Sequence, residues 1–102
     1  MTIIDQYMQS GNTFVVEFYA PWCGPCKMYG PVLHKYCKAN NIPLLQLDGD
    51  QLQDGNNELS DYFSQLNITA YPTTLIYING TQLFRVVGGD IHKVDKIIQS
   101  NS

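Results

Sequence analysis

Residues 18–27, with the sequence Phe-Tyr-Ala-Pro-Trp-Cys-Gly-Pro-Cys-Lys, constrain the fold of this chain more than any other stretch. They overlap the end of an apolar run, Phe14–Tyr19, and precede residues with the apolar spacing of an amphipathic helix. A run that is apolar on both alternating sets, here except at Glu17, is typical of a strand covered on both faces. The sequence therefore predicts a buried central strand that leads through two cysteines into a helix.

Cys23 and Cys26 lie at the predicted start of that helix. Residues three apart in a helix are about one turn apart at ~1.5 Å per residue, which brings their Cα atoms near the roughly 4.4–6.8 Å that a disulfide requires. Unpaired N–H groups at a helix N-terminus favour negative charge, and a cysteine there has a pKa of about 3.5–7.5. We therefore expect Cys23 to be the attacking thiolate and Cys26 to be the resolving thiol.

A structural disulfide or half of a zinc site is the alternative interpretation of this pair. Zinc requires four ligands, and the other candidates are His34, Cys37 and His92. His34 and Cys37 lie about 12 and 16 Å beyond Cys26 by helical rise, too far to share one metal, and His92 alone would not complete a site. We therefore favour redox chemistry without a metal, and we interpret Cys37, on an apolar stripe, as a small buried hydrophobe.

The composition limits the class of protein. With 102 residues, of which 44% are hydrophobic, we expect one globular domain spanning residues 1–102. The net charge of −3 is mild and unclustered, which indicates neither nucleic acid nor a membrane surface as a partner. The chain has no apolar run long enough to span a bilayer and no signal-peptide pattern at its start. We therefore expect a cytoplasmic protein, active as a monomer.

The rest of the chain alternates between helical and strand patterns. A helix is predicted over residues 2–10, a strand over 43–48, a polar loop over 49–57, and strands over 74–78 and 82–87 joined by Asn79-Gly80, a strong hairpin signal. The helix after the cysteines should end at Asn40-Asn41, and Gly88-Gly89 should lead into the last helix. The predicted apolar stripes of the last three long helices are Tyr29, Val32, Leu33, Tyr36 and Cys37; Leu59, Tyr62, Phe63 and Leu66; and Ile91, Val94, Ile97 and Ile98. This order predicts an α/β fold with helices on both faces of a mixed sheet, and Pro31 should kink its helix.

Residues 22–27, set between a strand and a helix, resemble the active-site motif of the thioredoxin family. Later landmarks follow in the family's order along nearly the whole chain: Pro31, Tyr71-Pro72-Thr73, Asn79-Gly80 and Gly88. The resemblance implies a thioredoxin-like fold. The chain begins too late for the strand that usually comes first in that family, so we expect a four-stranded sheet. The 49–57 loop is also longer than the family's usual connection.

The resemblance also implies a role for Glu17. Thioredoxins have a buried aspartate at this position that assists the resolving thiol, so Glu17 would take the proton from Cys26. A glutamate here is similar to protein disulfide isomerase domains, and an ion pair at a strand end is the structural alternative. Gln46 stands where thioredoxins often have a lysine, and without that cation the carboxyl should be easier to protonate.

Substrate binding is implied by the same resemblance. The family has a cis-proline at Pro72 that faces the disulfide, and the backbone of its neighbour pairs with a substrate strand. An apolar docking surface would surround it, and the Gly-Pro pair between the cysteines is typical of reductants, whereas Gly-His is typical of oxidants and isomerases. The implied substrate-binding residues are Trp22, Gly24, Pro25, Tyr71, Pro72 and Gly88.

These observations together predict a thiol–disulfide oxidoreductase that reduces disulfides in other proteins. Exchange of this kind requires no bound cofactor, and the resemblance implies that a flavoprotein thioredoxin reductase restores the electrons from NADPH. Three alternatives remain: a disulfide isomerase or oxidase, a glutathione-dependent enzyme similar to glutaredoxin, and a non-catalytic module that binds partners through a thioredoxin surface.

Overall fold

The computed structural model describes residues 3–101 of the chain. The helices are α1 (Ile3–Ser10), α2 (Gly24–Ala39), α3 (Gly49–Gln53), α4 (Glu58–Gln65) and α5 (Ile91–Ser100), and the strands are β1 (Phe14–Tyr19), β2 (Leu44–Asp48), β3 (Thr73–Ile78) and β4 (Gln82–Val87). The predicted helix at 2–10 is therefore confirmed from Ile3 onward, and Thr2 lies outside the described residues.

The four strands form one mixed sheet in the order β2-β1-β3-β4. Strand β1 pairs in parallel with β2 and antiparallel with β3, while β3 and β4 form an antiparallel hairpin. Both inner strands are buried along almost their entire length, as expected for strands covered on both faces. The predicted thioredoxin-like α/β fold with a four-stranded sheet is confirmed.

Successive residues of β1 point to opposite faces of the sheet, and each face has its own core. Val15 packs with α2 and α5, whereas Phe14, Val16 and Phe18 pack with α1 and α4. Each buried Val, Leu, Ile or Phe side chain contributes about 1.5–3 kcal/mol by leaving water. The alternation therefore fixes the register of β1, and with it the direction in which its end presents the cysteines.

The turn between β3 and β4 matches its sequence signal. Asn79 and Gly80 have φ values of 53° and 76°, the left-handed conformation at both central positions that defines a type I′ hairpin turn. A Cβ atom on Gly80 would also collide with the carbonyl oxygen of Met8. The hairpin thus requires glycine at this position for its backbone conformation and for its contact with α1.

The prediction of a polar loop over residues 49–57 was wrong in its first half, which forms α3. Asp48 ends β2 and caps this helix, because its Oδ1 accepts hydrogen bonds from the N–H groups of Asp50 at 2.9 Å and Gln51 at 3.4 Å. Five residues are too few to show a helical apolar period, and the single apolar side chain among them, Leu52, packs against the core. The capping aspartate was the signal that could have revealed the helix.

The stripe predicted for α2 was wrong at one position. Cys26, Tyr29, Leu33 and Cys37 are buried, but Val32 is 48% exposed. Consecutive residues of a helix are separated by about 100°, so the burial of Leu33 turns its neighbour toward solvent. The exposed Val32 lies on the same side of α2 as the exposed Met28, four residues earlier.

The helices of residues 3–101 include none that is long and apolar enough to cross a membrane. Within the same residues, no group of three histidine, cysteine or acidic side chains lies close enough together to hold a metal ion.

Candidate active site

The two cysteines lie where β1 ends and α2 begins. Cys23 is the N-cap residue of α2, with φ −83° and ψ 110°, and Cys26 lies in the first turn. They form a disulfide with a Cα–Cα distance of 5.3 Å, within the range that the spacing predicted. The Gly24-Pro25 pair forms the exposed first helical residues between them, where the missing N–H of a proline breaks no helical hydrogen bond.

The surroundings of the two sulfur atoms differ. The Sγ atom of Cys23 accepts a hydrogen bond from the backbone N–H of Cys26 at 3.2 Å and lies 3.6 Å from the carbonyl oxygen of Tyr71. The side chains are 4% and 6% exposed, so solvent exposure does not distinguish them. The N–H group at the helix N-terminus does distinguish them, because it can stabilise a negative charge on Cys23 and not on Cys26.

The loop before β3 brings two of the predicted substrate-binding residues, Tyr71 and Pro72, beside Cys23. The Tyr71–Pro72 peptide bond is cis, as the resemblance implied. The carbonyl oxygen of Pro72 accepts a hydrogen bond from the N–H of Gly88 at 2.8 Å, and Gly88 has φ +92°, a value that favours glycine. The start of β3 and the end of β4 are thereby joined next to the disulfide.

Trp22 is the most exposed aromatic side chain of this region, at 68%. Its ring packs edge-on against Tyr71, with centroids 5.8 Å apart and an interplanar angle of 76°, and its Nε1–H donates to Oδ2 of Asp50 at 2.8 Å. An exposed indole held in this way fits the predicted docking surface. Asp50 was not predicted as part of the site, because it belongs to α3 and meets Trp22 only through the tertiary fold.

Glu17 is 1% exposed in the middle of the sheet. Its Oε1 accepts a hydrogen bond from Nε2 of Gln46 at 2.8 Å, and the same Nε2 donates to the carbonyl oxygen of Gly30 at 3.1 Å. Among residues 3–101, no hydrogen-bond donor reaches the buried Oε2. The alternative of an ion pair was therefore wrong, since the partner of this carboxyl is a neutral amide.

Burial raises the pKa of Glu17, and the hydrogen bond from Gln46 offsets this effect only in part. Desolvation disfavours the charged carboxylate, and no cation of residues 3–101 contacts the carboxylate to offset that effect. Glu17 is thus a buried acid that takes up a proton more readily than an exposed glutamate does.

An open cleft of about 550 Å³ links Glu17 to Cys26. Its lining comes from β1, the following turn, α2 and β2: Glu17, Tyr19, Ala20, Pro21, Cys26, Lys27, Gly30, Pro31, His34 and Gln46. His34 lies at the far end, two turns along α2 from Cys26, and the sequence did not predict that the two residues would share a cavity.

The third cysteine, Cys37, is buried in the core and unpaired, and burial raises its pKa to about 12.

A helix-capping cysteine in a disulfide with the first turn, beside a cis-proline and a buried acid, defines a thiol–disulfide oxidoreductase. The thioredoxin family profile matches residues 3–100. Thioredoxin-2 of Saccharomyces cerevisiae is 33% identical over 95% of this chain and 88% of that protein. Thioredoxin H2 of Arabidopsis thaliana is 32% identical over 90% of this chain, which spans only 65% of that longer relative.

Solved structures agree with the sequence comparisons. The reduced thioredoxin precursor of Schistosoma mansoni superposes with a TM-score of 0.77 at 30% identity, over 96% of this chain and 88% of that one. Oxidised thioredoxin O1 of Arabidopsis thaliana gives a TM-score of 0.78 at 28% identity, over 96% and 85%. The chain belongs to the thioredoxin family, and it is a protein-disulfide reductase of the thioredoxin type.

Proposed function

We propose that the chain reduces protein disulfides with Cys23 as nucleophile, Cys26 as resolving thiol and Glu17 as proton acceptor. The Cys23 thiolate attacks a substrate sulfur and forms a mixed disulfide, while the other substrate sulfur leaves as a thiolate. Cys26 loses its proton, attacks Cys23 Sγ and releases the reduced substrate. The observation that carries this assignment is the hydrogen bond from the Cys26 N–H to Cys23 Sγ, because it stabilises charge on one sulfur only.

Glu17 suits the second step because its pKa is raised and because it lines the same cleft as Cys26. A general base works best when its pKa lies near the working pH. Oε1 is held by Gln46, which leaves Oε2 to receive the proton, directly or through water in the cleft.

The substrate would dock on Trp22, Tyr71, Pro72 and Gly88, around the Gly24-Pro25 turn, with its backbone beside Tyr71. No group bound to the chain is required for exchange, but each cycle leaves the protein oxidised. We propose that a flavoprotein similar to thioredoxin reductase returns the electrons from NADPH, so that the chain acts as a monomeric electron carrier. A compartment in which thiols are kept reduced, such as the cytoplasm, is the setting in which this direction of exchange is favoured.

Reduction of insulin disulfides, with and without an NADPH-dependent thioredoxin reductase, tests this proposal. We expect the reduced chain to cleave the interchain disulfides of insulin and the reductase to sustain turnover. A reduction potential of about −270 mV fits a reductant. A value of about −180 mV fits an isomerase, and a value of about −120 mV fits an oxidase. Turnover that requires glutathione and no reductase would instead favour a function similar to that of glutaredoxin.

The contact between Trp22 and Asp50 gives a test of the docking surface. Asp50→Ala removes the acceptor of the indole N–H. Such a hydrogen bond contributes about 0.5–1.5 kcal/mol net. We therefore expect the KM for insulin to rise about 2- to 12-fold, with little change in kcat. Trp22 is the only tryptophan of the chain, so its fluorescence reports directly on the loosened ring. Asp54→Ala, which removes the same charge from the end of α3, is the matched control. An equal rise in KM in both variants would mean that net charge, and not the position of Trp22, governs docking.

A further inference from the structure

The ring of Tyr71 lies directly against Gly49, the first residue of α3. A Cβ atom added to Gly49 would lie 2.6 Å from both Cε1 and Cζ of Tyr71, and it would collide with the Tyr71 hydroxyl. Cβ atoms in folded proteins essentially never approach another heavy atom within 3.0 Å. The ring can therefore take this position only because residue 49 has no side chain.

The backbone at Gly49 does not itself require a glycine. Its φ value is not in the left-handed region, and the cap of α3 is supplied by the preceding residue, Asp48. Alanine is a better helix former than glycine. The three heavy atoms nearest to the added Cβ all belong to Tyr71, so the packing of that ring is the constraint that excludes a side chain at this position.

Tyr71 connects Gly49 with the residues around the disulfide. Its ring packs edge-on against Trp22, and its carbonyl oxygen lies 3.6 Å from Sγ of Cys23. Trp22 is held in turn by Asp50, the residue that follows Gly49 in α3. Two consecutive residues of this short helix therefore hold the two neighbouring rings of the proposed docking surface, one by leaving space and the other by a hydrogen bond.

We propose that Gly49 is a positioning residue for substrate binding, because the space that it leaves fixes the ring of Tyr71 and, through that ring, the indole of Trp22. The inference rests on the docking surface proposed above and adds to it a residue that contacts neither the substrate nor the sulfur atoms. Two rings held edge to face form a rigid apolar surface, which loses little conformational freedom when a substrate binds. This surface fits a protein segment with an apolar side chain close to its disulfide.

An alanine at position 49 should displace the ring and leave the fold intact. The atoms in its way are the far end of the Tyr71 side chain, which is only half-buried, so the ring can turn outward. That movement would break the edge-on contact with Trp22. The hydrogen bond from the Cys26 N–H to Cys23 Sγ does not involve either ring. Substrate binding should therefore weaken while the chemistry at Cys23 continues.

Kinetics with a large and a small disulfide separate binding from chemistry. Gly49→Ala should raise the KM for insulin about 3- to 10-fold, the factor that an aromatic pair of this geometry contributes, and should leave kcat within about twofold. The rate with bis(2-hydroxyethyl) disulfide, which is too small to cover both rings, should also stay within about twofold. Gln51→Ala, at an exposed position of the same helix, is the control and should change neither rate. An unchanged KM in Gly49→Ala, or equal slowing with both substrates, would overturn the proposal.

Substitution of the ring shows whether Gly49 acts through Tyr71. Tyr71→Leu removes all three atoms that the added Cβ would meet, so in that background Gly49→Ala should change the KM by less than about twofold. Tyr71→Phe keeps Cε1 and Cζ, and there Gly49→Ala should retain most of its effect. If Gly49→Ala raised the KM by the same factor with leucine as with tyrosine at position 71, the glycine would act independently of the ring, and the proposal would fail.

Spectroscopy and thermal unfolding report on the ring without a substrate. Trp22 is the only tryptophan of the chain, so its indole N–H gives a single nuclear magnetic resonance signal beside the Tyr71 ring. Gly49→Ala should shift this signal and Gln51→Ala should not; an unshifted signal in Gly49→Ala would contradict the proposal.

Thermal unfolding covers the case in which Gly49→Ala folds poorly. Any loss of Tm caused by Gly49→Ala should disappear in the Tyr71→Leu background, because the colliding atoms are then absent. A loss of Tm that persists there would overturn the proposal. Failure of the proposed function would appear differently, as an absence of insulin reduction by the wild-type chain.

Discussion

Cys26→Ser is expected to abolish multiple-turnover insulin reduction and to leave the protein covalently attached to its substrate. Cys23 can still attack, but no thiol remains one turn away to release the mixed disulfide, so turnover should fall by at least about 10³-fold. Cys23→Ser should also be inactive and should form no such adduct with insulin. Non-reducing gels and intact-protein mass spectrometry distinguish the two variants.

The third cysteine supplies the control for this experiment. Cys37 is buried in the core and unpaired, and burial raises its pKa to about 12, so it should not react at neutral pH. Cys37→Ala should retain insulin reduction within about twofold, at a stability cost of roughly 1 kcal/mol from the lost packing. An insulin adduct that persists in Cys23→Ser and disappears in the Cys23→Ser/Cys37→Ala double variant would show that the nucleophile has been misassigned.

Glu17→Gln is expected to make the protein more stable at pH 8 and slower in the resolving step. The raised pKa of Glu17 means that folding favours the protonated carboxyl. This contribution to stability is complete below the ordinary pKa of about 4.3. It decreases as the pH rises through the raised pKa, because the unfolded chain ionises first. An unpaired buried polar or charged group costs about 1–3 kcal/mol. The free energy of unfolding of the variant should therefore exceed that of the wild type by about this amount at pH 8 and by little at pH 4.

Kinetics provide the second readout for the same residue. Without a proton acceptor, release of the mixed disulfide should slow by about 10²-fold, the lower end of the usual range for general-base catalysis. The deficit should shrink at high pH, where hydroxide can take the proton. Asp61→Asn removes one exposed charge from the first turn of α4; it should leave the kinetics unchanged and lower stability by no more than about 1 kcal/mol, equally at pH 8 in the presence and absence of Glu17. A Glu17→Gln variant that is less stable than the wild type at pH 8 would show that the carboxylate is ionised and favourably paired in the native state.

Local patterns were sufficient to predict most of the fold. The strand at Phe14–Tyr19 is buried on both faces because helices pack on each side of the sheet. The apolar run of this strand already indicated such burial. The Asn79-Gly80 turn and the i, i+3 spacing of the cysteines each depend on a few adjacent residues. Such features are set by backbone conformation and side-chain period, which the sequence carries directly.

The parts of the site that the sequence did not predict come from contacts between distant segments. Asp50 holds Trp22 across 28 positions of the chain, through a helix too short to show a period. The cleft beside Cys26 exists because β1, α2 and β2 meet around Gly30. From the sequence alone, a glycine inside a helix indicates only a small loss of helix stability and no cavity. The exposure of Val32 likewise follows from which face of α2 packs on the sheet.

The rate of alkylation of each active-site thiol as a function of pH tests the central claim most directly. Measured with iodoacetamide on reduced Cys26→Ser and Cys23→Ser proteins, Cys23 should reach its full rate with a midpoint below about 7.5. Cys26 should require a pH at or above the value of about 8.5 that is usual for a free cysteine. Two coincident curves, both with the midpoint of free cysteine, would mean that the helix N-terminus does not distinguish the two sulfurs, and the proposed mechanism would fail.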